Sequence, residues 1–86
     1  MPAKKPLTYR DLRRILKSFG IEESVSRGKG SERMFSGFVA GKLVRYPTKC
    51  HREGDEKPIP VINAIRRAFR LTERDGVADE DFYGRA

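Results

Sequence analysis

Two periodicities meet at Gly20, and that junction limits the folds open to the chain. Before it, Leu12, Ile15, Leu16 and Phe19 recur at helical spacing; after it, apolar residues come in short runs with the alternation of strands. Thr8-Tyr-Arg-Asp11 supplies a helix start, because the Thr8 hydroxyl can accept a first-turn N–H and Asp11 suits the positive end of the dipole. This predicts an amphipathic helix over 8–19, with Gly20 as its left-handed stop. Ile21 and Val25, then Met34, Phe35, Phe38 and Val39, then Leu43, Val44 and Tyr46 predict three antiparallel strands. The second and third, over 32–39 and 42–47, are expected to join at a tight Ala40-Gly41 turn, and Pro47 to end the pairing. A proline-led helix over 59–70 follows. Ile59, Ile62, Ile65, Ala68 and Phe69 form its apolar stripe, and Arg66, Arg67 and Arg70 are expected to face outward. The order α-β-β-β-α implies an α+β fold, a three-stranded antiparallel sheet covered on one face by two helices.

At 86 residues the chain has room for one core. The patterned body runs over 8–71, behind a basic tail at 1–7. Residues 72–86 are weakly patterned, with Phe82 and Tyr83 their only large anchors, and read either as a short docking helix or as an acidic tail. Charge divides along the same line. Residues 1–72 hold 17 Lys and Arg against 7 Asp and Glu, a net of +10, whereas 73–86 carry a net of −3. Such a cationic body favours polyanions, with nucleic acid the first partner to consider and an anionic membrane face the second. No apolar run approaches the roughly 20 residues of a bilayer span, so an unexported cytoplasmic protein is expected. Cys50 is alone, which excludes an internal disulfide; Cys and His together are too few for a structural zinc site, and no P-loop is present. Neither metal nor cofactor is expected.

Few residues carry chemistry. Arg10, Arg13, Arg14 and Lys17 fall on one stripe of the first helix, which reads as a solvated face or as an RNA contact. Gly28-Lys29-Gly30-Ser31 with Arg33 joins a pliable backbone to a point charge, a hydroxyl and a bidentate fork. That set suits a phosphate backbone, while a plain hairpin loop requires only the glycines. His51 is the single histidine, so a two-histidine acid/base pair cannot come from one chain. Cys50 beside it reads as an inert thiol.

Taken together, Lys29-Gly-Ser-Glu-Arg33-Met-Phe35, the hairpin after it, Leu43-Val-Arg-Tyr46, Lys49-Cys-His51 and the proline-led last helix resemble the HicA toxin family over about residues 8–71. The resemblance implies a double-stranded-RNA-binding-like fold, an mRNA interferase activity, and a HicB-like antitoxin as partner. The family's catalytic histidine lies in a Gly-Ser-His motif, and here Glu32 stands in its place. His51 lines up with a second histidine often seen after the third strand. Two readings stand. In one, Lys29, Ser31, Arg33, Arg13, Arg66 and Arg67 grip mRNA while Glu32 and His51 transfer protons in an endoribonuclease. In the other, the same surface binds RNA or an antitoxin without cutting, since such folds read shape and backbone. A DNA-binding module is the weakest reading, because the last helix presents its apolar stripe to the sheet.

Overall fold

The computed structural model describes residues 4–25, 32–50 and 52–86. In chain order the elements are β1 (Leu7–Thr8), α1 (Tyr9–Ser18), β2 (Glu22–Val25), β3 (Glu32–Val39), β4 (Lys42–Lys49), β5 (Glu56–Lys57), α2 (Ile59–Ala68), a 3₁₀ turn (Glu73–Asp75) and α3 (Asp79–Tyr83). The fold is α+β. β2, β3 and β4 form an antiparallel sheet in that order, and β1 pairs with β5 as a separate two-stranded ribbon.

Helix α1 begins where its first-turn donors find acceptors. Asp11 N donates to Thr8 Oγ1 at 3.1 Å, while Tyr9 N and Arg10 N donate to the carbonyls of Asp55 and Glu53 at 2.8 and 3.0 Å. The β1–β5 ribbon holds the 52–57 segment in place to supply those carbonyls, with Leu7 opposite Lys57 and Thr8 opposite Glu56. Tyr9, Leu12, Ile15 and Leu16 then face the core. There they meet Ile62, Ile65 and Phe69 of the second helical segment and the ring of Phe35, which stacks on Tyr9 with centroids 5.8 Å apart. Leu7 in the N-terminal segment, together with Phe82 and Tyr83 in the C-terminal one, is buried in the same cluster. The acidic segment 72–86 is therefore a docked element, with Phe82 stacked on Phe19 at 6.1 Å.

The β3–β4 pairing extends past the expected end. Met34 lies opposite Pro47, Arg33 opposite Thr48 and Glu32 opposite Lys49. β4 is an edge strand, where a proline removes no donor that a further strand needs. The turn is as expected: Ala40 and Gly41 take φ of 51° and 81°, the pair of positive values of a two-residue hairpin. Gly37 serves a different purpose. A Cβ there would come 2.8 Å from Ile21 Cγ1, so the absent side chain lets the chain entering β2 lie against the sheet. Among the described residues, no helix is long and apolar enough to cross a membrane.

Two substitutions should move stability in opposite directions. Gly37→Ala, which drives a methyl into Ile21, should cost about 1–3 kcal/mol. Ala40→Gly, which relieves a left-handed alanine, should add about 0.5–1 kcal/mol. Urea denaturation of both variants checks the pair.

Candidate nucleic-acid interface

The register sorts the sheet's side chains between two faces. Glu23, Phe35 and Tyr46 form one row on the helix side, with Arg33 and Thr48 in the next. Glu32, Met34, Ser36 and Phe38 point the other way. Glu32 and Arg33, neighbours in the candidate motif, thus have opposite parity in the strand, and both border a pocket of about 350 Å³ at this end of β3 and β4.

On the helix side Glu23 is a point of convergence. The Tyr9 hydroxyl donates to Glu23 Oε2, and the guanidiniums of Arg13 and Arg33 each approach a Glu23 oxygen at 3.6 Å. Arg13 also binds Glu53 at 2.5 Å, and Arg10 lies 3.8 Å from the same oxygen. Burial and the adjacent carboxylate push the Tyr9 phenol far above its usual range, so the proton stays on the tyrosine. The hydrogen bond from Arg13 holds the Glu53 carboxyl below its ordinary value. Cys50 is buried nearby, and its thiol is pushed up chiefly by that burial, as befits an inert residue.

Next to this cluster a groove of about 780 Å³ runs between α1 and β2, lined by Arg10, Arg13, Arg14 and Lys17 and by Ile21, Glu22 and Glu23. Arg10, Arg14 and Lys17 are exposed, so this stripe presents cations to solvent beside a concave surface. A second groove, of about 600 Å³, lies at the C-terminal end of α2, with Lys4, Arg67, Arg70 and Arg74 interleaved with Glu73, Asp75 and Asp79. With Arg66, which Asp79 engages, it holds five cations against three acids.

Arg66 departs from expectation. It is 2% exposed rather than outward-facing. Its Nε donates to the Leu71 carbonyl at 2.8 Å, one terminal nitrogen to Asp79 at 2.7 Å and the other to the Val77 carbonyl at 3.0 Å, and the guanidinium lies 4.5 Å from the Phe82 ring centroid. A guanidinium so enclosed is unavailable to phosphate. The physical reason is positional: Ile62, Ile65, Arg66 and Phe69 share one stripe of the helix, so a cation at 66 is carried inward and requires partners there.

Of the other residues expected to bind RNA, Arg67 is exposed, Arg13 and Arg33 belong to the Glu23 cluster, and Lys29 and Ser31 lie outside the described residues. His51 also lies outside them, so the geometry bears on Glu32 alone of the expected acid/base pair. Tyr9, Glu23 and Glu53 were not singled out from sequence. One signal existed for Glu23: it shares the inward parity of Ile21 and Val25 in an alternating run. No group of three or more metal-ligating side chains occurs among the described residues.

Comparisons with protein-family models, with curated proteins and with solved structures each return no match, so the resemblance to the HicA toxins rests on the quoted motifs and on the element order.

Two outcomes test this anatomy. Arg66→Ala, which leaves Asp79 and two carbonyls without their donor, should cost about 3 kcal/mol in thermal or urea unfolding. For Glu53, whose folded carboxyl titrates below its unfolded value, the stabilising contribution is present above the unfolded value and fades as pH falls through the folded one. Carboxyl NMR titration should place Glu53 below an ordinary glutamate, and Arg13→Ala should return it to the ordinary range.

Proposed function

We propose that the protein is a HicA-like RNA-binding protein of a toxin–antitoxin pair, and that it grips mRNA through the phosphate backbone along the α1–β2 groove. The observation that carries this reading is the exposed row of Arg10, Arg14 and Lys17 on one wall of a groove. Cations spaced by single helical turns beside a concavity suit a run of phosphates, and a chain of net +7 draws a polyanion toward them. The α-β-β-β-α order and the Gly30-Ser31-Glu32-Arg33 motif support the HicA-like assignment, with a HicB-like antitoxin as the protein partner.

A second reading, cleavage by Glu32 with His51, draws on the register. Glu32 pairs with Lys49 at the end of the sheet, two residues before position 51. Binding without cleavage has the stronger support, because Glu32 lies on the opposite face of the sheet from the Arg13–Glu23–Arg33 cluster and the cationic groove.

Fluorescence anisotropy with a labelled RNA provides the test. Affinity should fall linearly on a log–log plot against salt, and replacing Arg10, Arg14 and Lys17 with alanine should lower that slope by about one per lost contact. An unchanged slope and affinity would overturn the groove as the contact. Incubating the same RNA with wild type and with Glu32→His separates the two readings: cleavage gained only by the variant marks a binding scaffold, and cleavage by wild type that Glu32→Gln removes marks a nuclease.

A further inference from the structure

The sheet face away from the helices is covered by no described residue. Its rows follow from the register: Phe38 with Leu43 at the hairpin end, then Glu22, Ser36 and Arg45, then Ser24, Met34 and Pro47, then Glu32 with Lys49. Phe38 is 77% exposed and Leu43 47%, an apolar pair at the hairpin end that the Ser36–Arg45 row separates from Met34 and Pro47. Two such side chains together on an uncovered sheet face of a strongly charged domain point to a contact surface.

The charges show what fits it. Glu22 on one edge strand and Arg45 on the other stand at the same height, with the short Ser36 between them, and neither is ion-paired with a described residue. This row is complementary to itself. Turning a second copy by 180° about an axis along β3 lays β2 of each chain over β4 of the other. Glu22 then faces the partner's Arg45, and the mirror contact forms on the other side. Phe38, Ser36 and Met34 meet their counterparts near the axis, and so does Glu32, with Lys49 of each chain beside it. Facing sheets lie about 10 Å apart, a gap that a glutamate and an arginine reaching from opposite sides close. The face carries Glu22 and Glu32 against Arg45 and Lys49, so it has no net charge to draw an RNA strand.

We propose that this open face is a self-association surface, on which a second copy of the chain packs to make a six-stranded sandwich with both helical layers outside. This goes beyond the RNA-binding reading and does not depend on it. Three short strands offer less than the roughly 800 Å² per partner of a standard interface, so the dimer is a weak one, with a dissociation constant in the micromolar range. The isologous geometry makes each charge count twice.

Sedimentation equilibrium across micromolar loading concentrations tests the proposal, with far-UV circular dichroism to show that each variant is folded. Wild type should pass from monomer to dimer as concentration rises, and Phe38→Asp should remain monomeric. Glu22→Arg and Arg45→Glu should each raise the dissociation constant by about tenfold, because each sets two pairs of like charges face to face. The double variant should return to within about threefold of wild type, a recovery expected when the two sites couple across the interface and not when they act independently. A wild type that stays monomeric at every concentration overturns the proposal, as does a folded double variant no better than either single one. If Phe38→Asp leaves a monomeric wild type's mass unchanged and weakens RNA binding, the face is instead a stacking platform for bases and the dimer is refuted.

Discussion

The Glu23 carboxylate is the interaction on which the arrangement of this small fold most depends. β2 is four residues long and holds one edge of the sheet, so backbone pairing to β3 alone would fix it weakly. Glu23 adds a tie in each direction, to Tyr9 and Arg13 on α1 and to Arg33 on β3. A half-buried carboxylate without donors would be costly, and here a phenol and two guanidiniums meet it. Arg13 extends the network to Glu53, in the segment whose carbonyls receive the first donors of α1. One inward-facing acid therefore registers the helix, the short strand and the connecting segment against one another.

Arg66 does the same on the other side of the core with opposite charge. Its three donors close on Asp79 and on the carbonyls of Leu71 and Val77, which lie along a segment with little helix of its own. Phe82 completes the enclosure by stacking its ring against the guanidinium. The acidic C-terminal segment is thus docked on the core through Arg66 and Phe82. Both networks use arginines that a charge count credits to ligand binding. Of the cations left facing solvent, Arg10, Arg14 and Lys17 stand together along α1 and line one groove.

Local signals were legible where they were strong. The Thr8 cap, the 12-15-16-19 spacing and the Ala40-Gly41 turn each act within a few residues, and each appears in the structure. The β1–β5 ribbon was hidden because two-residue strands have no period to read. Pro47 was misjudged for a related reason: whether a proline ends a strand depends on whether that strand lies at an edge, a property of the assembled sheet. Arg66 shows a third kind of failure, in which side-chain chemistry outweighed helical position. Its place one turn after Ile62 indicated burial, while its partners lie 5 to 13 residues further on, where no short-range rule reaches. Of the candidate site, the α1 stripe was legible, and Glu23 was not, because its partners Tyr9, Arg13 and Arg33 lie on other elements, beyond any short-range pattern.

The two surfaces left over by these networks meet at Glu22. It borders the cationic groove between α1 and β2, and it also heads the Glu22–Ser36–Arg45 row of the open face. Free, its carboxylate repels a phosphate entering the groove; opposed by an arginine from a second copy, that repulsion is reduced. With both proposed surfaces occupied, the shared charge would couple them, and the coupling would be reciprocal: whatever dimerisation added to RNA affinity, RNA would add to dimerisation. The coupling requires no change of conformation, because the carboxylate belongs to an edge strand fixed from its other face by Glu23. The rigidity supplied by the inward acid is what would let its outward neighbour act as a link between the two ligands.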